Sequence, residues 1–389
     1  MRKPTAFGID QCRTEQTVSI FSHIRLGSEK YPALTGIRAL GATVIFFDHF
    51  PISPDAHNTL NVMAFFFTLS GFLIVRIYYE QVKFNVDWLT KYFVNRFARI
   101  YPVYFLLLSI ALCLQPGVSP WTVMANYTLT HALFHGTQLI IEPSWSLTVE
   151  ECFYFLAPCF MILAKRSNFW LPFAVGWILL SAALLISKLG IAFLGTPGFV
   201  LSITYFGHFA EFFAGFYLAL ALMRREKRGS IGATGGKHTA AGVAGVSLLV
   251  FAMAVVYRQS PRHWYSMVIL INNFLIPFPI ALLYWGLLRE KTLLSRLLSN
   301  HLSGLLGRSS YSFYLLHTLV INYLAIPLLL PRIGSRLLCV LITLIVTWSV
   351  SVLLFVFYEE PVNIFIRRMF RSKDATVGML ATLFQVKPR

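Results

Sequence analysis

Charge is scarce in this sequence. Asp, Glu, Lys and Arg make up 13% of its 389 residues, against about a quarter in a soluble domain. That excludes an ordinary water-facing surface. Acidic residues are the scarcer sign, 16 against 33 Lys and Arg. Period-2 alternation of apolar and polar residues is also lacking, which excludes the strands of a membrane β-barrel. The five cysteines, Cys12, Cys113, Cys152, Cys159 and Cys339, show no metal-ligand spacing and are read as small apolar residues. Residues 1–30 are polar and mixed in charge. They lack the apolar core of a cleavable leader, so none is expected there.

What the chain has instead is apolar length. Hydrophobic residues are 57% of it, and runs of about 20 recur, long enough to span a bilayer. The pattern predicts an all-α polytopic membrane protein of about ten transmembrane helices. They fall near 33–52, 60–79, 98–116, 146–164, 169–188, 203–222, 240–257, 265–287, 308–331 and 336–358. An even number places both termini on one side.

The basic residues say which side. Six lie elsewhere: Lys188, Arg258, Arg262, Arg332 and Arg336 in alternate loops, and Arg38 inside the first helix. All the others fall in the two tails and in the segments on the same side as the tails. Lys and Arg favour the cytoplasm, so both termini are expected there. The same bias accounts for the net charge of +17 without nucleic acid. The organisation expected is a cytoplasmic tail over 1–30, a membrane domain over 31–362 and a second cytoplasmic tail over 363–389. The basic, Gly-rich loop 224–238 reads as a flexible linker, with an electrostatic site for a phosphorylated ligand as the sharper option.

A charge in a hydrocarbon layer costs about 2.5–3.5 kcal/mol on insertion scales, so each one is a functional candidate. The first helix, "LTGIRALGATVIFFDHF" (34–50), carries Arg38, Asp48 and His49. Arg38 and His49 are 11 residues apart, about three turns, so they share a face and stand about 16 Å apart along the axis. Asp48 points away from that face and reads as a helix-end residue. "PSWSLTVEECFYFLAP" (143–158) brings Glu150 in from the other end of the bundle. Its depth matches that of His49, so the two are expected to meet. A carboxylate beside a histidine fixes its tautomer, which suits a general base. Tyr154, at i+4 from Glu150, shares its face. The plainer reading is that Glu150 pins helices through an ion pair, and Arg38 is the other candidate partner, disfavoured by depth.

At the basic end, Arg96 and Arg99 in "RFARIYP" (96–102) stand at i, i+3, with Arg76 near. Such guanidiniums suit phosphate groups; ordinary anchoring is the bland alternative. His208 and Glu211 are expected to pair at i, i+3. Glu359 and Glu360 are expected to be wet. His131 and His135 have i, i+4 spacing but no third ligand, so no metal is expected. Asn126 in "NYT" matches a glycosylation sequon.

Six segments together resemble the membrane acyltransferase 3 family, bacterial inner-membrane O-acyltransferases of surface polysaccharides and related sugars. They are "LTGIRALGATVIFFDHF", with the Arg and His of an Arg-x10-His pattern as Arg38 and His49; "FFFTLSGFLI" (65–74); "RFARIYPVY" (96–104); "WSLTVEECFYFLAP" (145–158), with Glu150; "LGRSSYSFYLLH" (306–317); and "YEEP" (358–361). They run in family order. Asp48 departs from the apolar residue usual before the histidine, and Thr35 from the usual acidic or small polar residue.

The resemblance implies acyl-CoA, usually acetyl-CoA, as donor substrate, no permanently bound cofactor, and a glycan or glycolipid acceptor. Arg38, Arg96, Arg99 and Arg76 would hold the donor. His49 would be the general base or an acylated nucleophile, with Glu150 and Arg38 as its companions. Tyr154, Tyr314 and His317 would face substrate. Ten helices with intramembrane charges also describe a proton-coupled transporter or flippase. An acyltransferase for a small glycosidic metabolite is the further alternative.

Overall fold

The structure, a computed structural model, describes residues 30–50, 62–190, 194–229, 235–259 and 267–370. Most of both tails, Cys12, Arg262 and the middle of the 224–238 loop lie outside the described residues. Among the described residues there are helices and turns and no strand.

The elements in chain order are α1 (Pro32–His49), α2 (Met63–Tyr78), α3 (Val86–Leu114), α4 (Pro120–Tyr127), α5 (Trp145–Arg166), α6 (Leu171–Lys188), α7 (Pro197–Ile203), α8 (Tyr205–Lys227) and α9 (Lys237–Gln259). There follow α10 (Pro277–Arg289), α11 (Leu293–Leu298), α12 (His301–Val320), α13 (Leu330–Ile333) and α14 (Arg336–Leu354). Three π-helical stretches, Ile271–Leu275, Ile321–Leu329 and Phe355–Glu359, continue neighbouring helices. The last leads into helix over 360–370. Among the described residues, eight helical spans are long and apolar enough to cross a bilayer. Met63–Tyr78 is a shorter apolar helix, and α1 adds a tenth segment. The polytopic all-α expectation holds.

Local signals set the helix starts. Asn85 accepts a hydrogen bond from Trp88 N (2.9 Å) to open α3. Asn300 accepts one from Ser303 N (2.8 Å) to open α12. Side-chain acceptors there satisfy backbone donors that have no partner within the helix. Glu290, just past α10, accepts from the N–H groups of His238 and Thr239 (2.9 and 2.8 Å) at the start of α9. Thr239 Oγ1 donates to it as well (2.6 Å). These donors pull the Glu290 carboxyl down to about 2, against the opposing pull of its burial.

Of the eight long spans, the one that ends in α8 is the most buried. The helix α2 lies on α8 because glycines remove the obstacle: a Cβ on Gly71 would strike Phe212 backbone, and one on Gly215 would strike Thr68 backbone. Small residues are the usual means of close helix approach in lipid. The helix α1 lies on α12 in the same way, with Gly307 against the Thr35 backbone. An aromatic core fills the space around α2, α5 and α8. Phe212 stacks on Phe67 (4.8 Å) and Phe153 (4.3 Å), all three buried.

At the end away from the Arg76 cluster, residues 115–144 form a folded cap. Asn126 is fully buried there. It donates to Thr122 O and Gln138 O and accepts from Ile140 N. The sequon is therefore structural: a side chain holding three hydrogen bonds inside the fold presents nothing to a glycosylating enzyme. His131 is buried in the same cap, 3.2 Å from Ser144 Oγ and 3.3 Å from Thr148 Oγ1. Burial pushes its imidazole down to about 4. His135 instead packs edge-on against Phe199. Among the described residues no cluster of three metal-ligating side chains occurs.

Candidate active site

Side chains from five helices converge on one interior cavity, with an empty volume of about 830 Å³. Arg38 enters from α1, Ser70 from α2, Arg96 and Arg99 from α3, Glu150 and Tyr154 from α5, and Tyr311 and Tyr314 from α12. Glu359, from the π-helical extension of α14, pairs with Arg99 at its edge. A second, wider cavity of about 1760 Å³ opens at the basic end, lined by Tyr31, Arg76 and Arg367 among others. Arg38, Leu69, Leu73 and Arg99 line both cavities and form the neck between them.

Glu150 is occupied at the centre. Ser70 Oγ and Tyr154 Oη both donate to its Oε1. Tyr154 is itself held by Tyr92, whose hydroxyl donates to Tyr154 O (2.9 Å). The expected meeting of Glu150 with His49 does not occur; Glu150 faces the cavity it shares with Arg38. Depth along separate helices misled the sequence argument. Arg38 stands about 9 Å into α1 and Glu150 about 7.5 Å into α5, leaving roughly 10 Å between them, a gap that long Arg and Glu side chains narrow from both sides. Arg38 lies within electrostatic reach of Glu150, Glu359 and Arg99.

The arginines at the basic end are largely engaged. Arg99 Nη1 donates to Glu359, whose second oxygen accepts from Ser312 Oγ (2.6 Å). Glu359 is 2% exposed, so the expectation of a wet carboxylate fails: the π-turn swings it inward against Arg99. Arg76 donates to Tyr31 Oη and Glu226 (both 2.6 Å). Arg96 lies over the rings of Tyr78 and Tyr154, 5.6 and 5.5 Å from their centroids.

His49 sits beyond the far end of this cavity. Its Nδ1 lies 2.9 Å from Ile45 O. A carbonyl only accepts, so Nδ1 is the donor, and in the neutral ring Nε2 then presents its lone pair. This is the orientation of a general base, supplied by backbone rather than by a carboxylate. The ring meets His317 of α12 edge-on, centroids 5.0 Å apart. His317 is fully buried, and both its ring nitrogens are without a hydrogen-bond partner among the described residues. Tyr314 links the pair to the cavity. Its ring is 5.8 Å from His317, its hydroxyl donates to Pro143 O, and Ser146 Oγ lies beside it (both 2.7 Å). Asp48 is exposed, in keeping with a helix-end residue. His208 and Glu211 pair as expected, at 2.9 Å and fully buried.

Sequence reasoning passed over three participants. Ser70 and Glu359 lie within the quoted segments "FFFTLSGFLI" and "YEEP", polar residues in or beside apolar runs, and that contrast was the available signal. Arg367 stood among the tail cations with nothing to distinguish it.

This arrangement belongs to a polytopic membrane protein with polar chemistry at its centre. A model of the acyltransferase domain matches residues 31–359. The chain belongs to that acyltransferase family. It is similar to acyltransferase MdmB of Streptomyces mycarofaciens, 25% identical over 76% of this chain and 80% of that protein. It is also similar to the putative peptidoglycan O-acetyltransferase YrhL of Bacillus subtilis, 24% identical over 87% of this chain and 56% of that one. The peptidoglycan O-acetyltransferase OatA of Listeria monocytogenes is 25% identical over 40% of this chain and 29% of its own length. The chain thus spans about half or less of the latter two. No solved structure matches it.

Proposed function

We propose that this chain moves an acyl group, normally acetyl, from cytoplasmic acyl-CoA to a sugar hydroxyl presented at the opposite side of a bacterial inner membrane. One observation carries the reading: two cavities joined at Arg38 and Arg99 lead from the basic end to Tyr314, beside His49 and His317. A thioester on a long, thin arm fits such a path, and the about 16 Å from Arg38 to His49 is a distance an extended arm spans. The acceptor is a glycan. The names of YrhL and OatA, both for peptidoglycan, support a sugar hydroxyl as the nucleophile.

The chemistry divides between the two ends. His49 Nε2 takes the proton of the acceptor hydroxyl as its oxygen attacks the thioester carbonyl. The C–S bond breaks, the proton held by His49 passes to the thiolate, and coenzyme A leaves as the thiol toward the basic end. His317, whose ring nitrogens have no hydrogen-bond partner among the described residues, hydrogen-bonds the acceptor. Tyr314 holds the passage between cavity and histidines. Arg38, Arg96 and Arg99 donate hydrogen bonds to the donor along the path. Glu150 positions Ser70 and Tyr154 and balances those guanidiniums.

The purified protein, given labelled acetyl-CoA and an acceptor glycan, is expected to form base-labile labelled ester. A carrier would form none and would instead move solute in response to a proton gradient.

A further inference from the structure

Two cations of the vestibule hold carboxylates: Arg76 pairs with Glu226 and also bonds Tyr31, and Arg99 pairs with Glu359. Arg367 differs. Its Nε is buried with no hydrogen-bond partner among the described residues, and its Nη2 makes only a long 3.5 Å contact with Asn95 O. Arg367 and Gln81 line the vestibule and also a separate side groove, with an empty volume of about 1260 Å³. The side groove runs along the first turns of α3 and contains a platform of rings. Trp88 stacks on Tyr92 (5.2 Å, 12° between planes) and meets Tyr78 edge-on (5.9 Å). Lys91 and Asp87 complete its charged lining.

We propose that this side groove is the nucleotide subsite, taking the adenine and 3′-phosphoribose of the donor, with Arg367 at the junction holding the diphosphate. The proposal rests on acyl-CoA being the donor. An aromatic platform stacks a planar base without needing edge contacts. A guanidinium with a free nitrogen suits phosphate oxygens. The junction then sets a bend in the ligand: nucleoside sideways into the groove, pantetheine inward past the neck at Arg38. The subsite accounts for a half-buried, under-used arginine and for a stacked aromatic group at a membrane protein's polar end.

The test compares two donors on Trp88→Ala and Arg367→Ala in the purified full-length protein. Acetyl-CoA carries the nucleotide; acetyl-pantetheine lacks it. Each variant should raise KM for acetyl-CoA roughly ten-fold or more, with kcat within about two-fold by the same reasoning, since the groove is remote from His49. Turnover of acetyl-pantetheine should match wild type, which also shows that the variants fold. An unchanged KM for acetyl-CoA overturns the subsite while leaving the donor reading intact. An equal rise for both donors overturns it too, since the residues would then act through the fold. Absence of transfer from acetyl-CoA by the wild type removes the donor reading itself, and the subsite with it.

Discussion

His49 gives one ring nitrogen to the backbone, and the proposed reaction uses the other. A positioned base contributes typically 10²–10⁴-fold, so His49→Ala is expected to lower kcat by about that factor at wild-type insertion. Ester formation at the normal rate would contradict the role. Glu150 lines the central cavity and bonds Ser70 and Tyr154 rather than His49. Glu150→Gln should therefore lower the rate much less than His49→Ala does. A loss as deep as that of His49→Ala would restore the carboxylate–histidine pair. The sequence made Arg38 and His49 legible as a pair because both sit on one helix, where spacing fixes face and rise. The partner of Glu150 was not legible, because helix tilts and side-chain reach across the bundle leave no trace in spacing.

At the scale of the element, packing and capping carry the predictions. The approach of α2 to α8 depends on Gly71 and Gly215. A side chain at Gly215 meets backbone, which cannot rotate away. Gly215→Leu should destabilise by at least the about 1–3 kcal/mol typical of overpacking. Thermal unfolding in detergent reads this, and a wild-type melting temperature would count against it. Glu290 fastens the start of α9 to the end of α10. Its folded carboxyl is held below its ordinary 4.5, at about 2. The stability it supplies is complete above 4.5 and is lost as pH falls toward 2. Glu290→Gln should thus be less stable than wild type at neutral pH, with the gap closing across that window. His131 adds a further loss at milder acidity. It is neutral when folded, down to about 4 against an ordinary 6.5, so acid favours the unfolded chain between those values. The helices themselves were legible from apolar length. The π-turn that brings Glu359 inward was not, since a one-residue widening of the helix has no signature in composition.

For the whole molecule, the account is one of polarity between two ends. Lys and Arg gather at one end of the bundle, where the vestibule and Arg367 lie, and His49 and His317 stand toward the other. Fluorescent-protein fusions at either terminus should be bright in the cytoplasm, and periplasmic phosphatase fusions there inactive; the reverse would invert the donor side. The acceptor's identity leaves no comparable mark in the sequence, because one hydroxyl near one histidine is common to many sugars. The most direct measurement uses oriented vesicles carrying wild-type protein or His49→Ala, with labelled acetyl-CoA supplied to one face and acceptor glycan to the other. The account predicts labelled ester only when the donor meets the Arg76–Arg367 face, and loss of that signal in His49→Ala. Ester formed with the donor on the opposite face, or undiminished in His49→Ala, would contradict it.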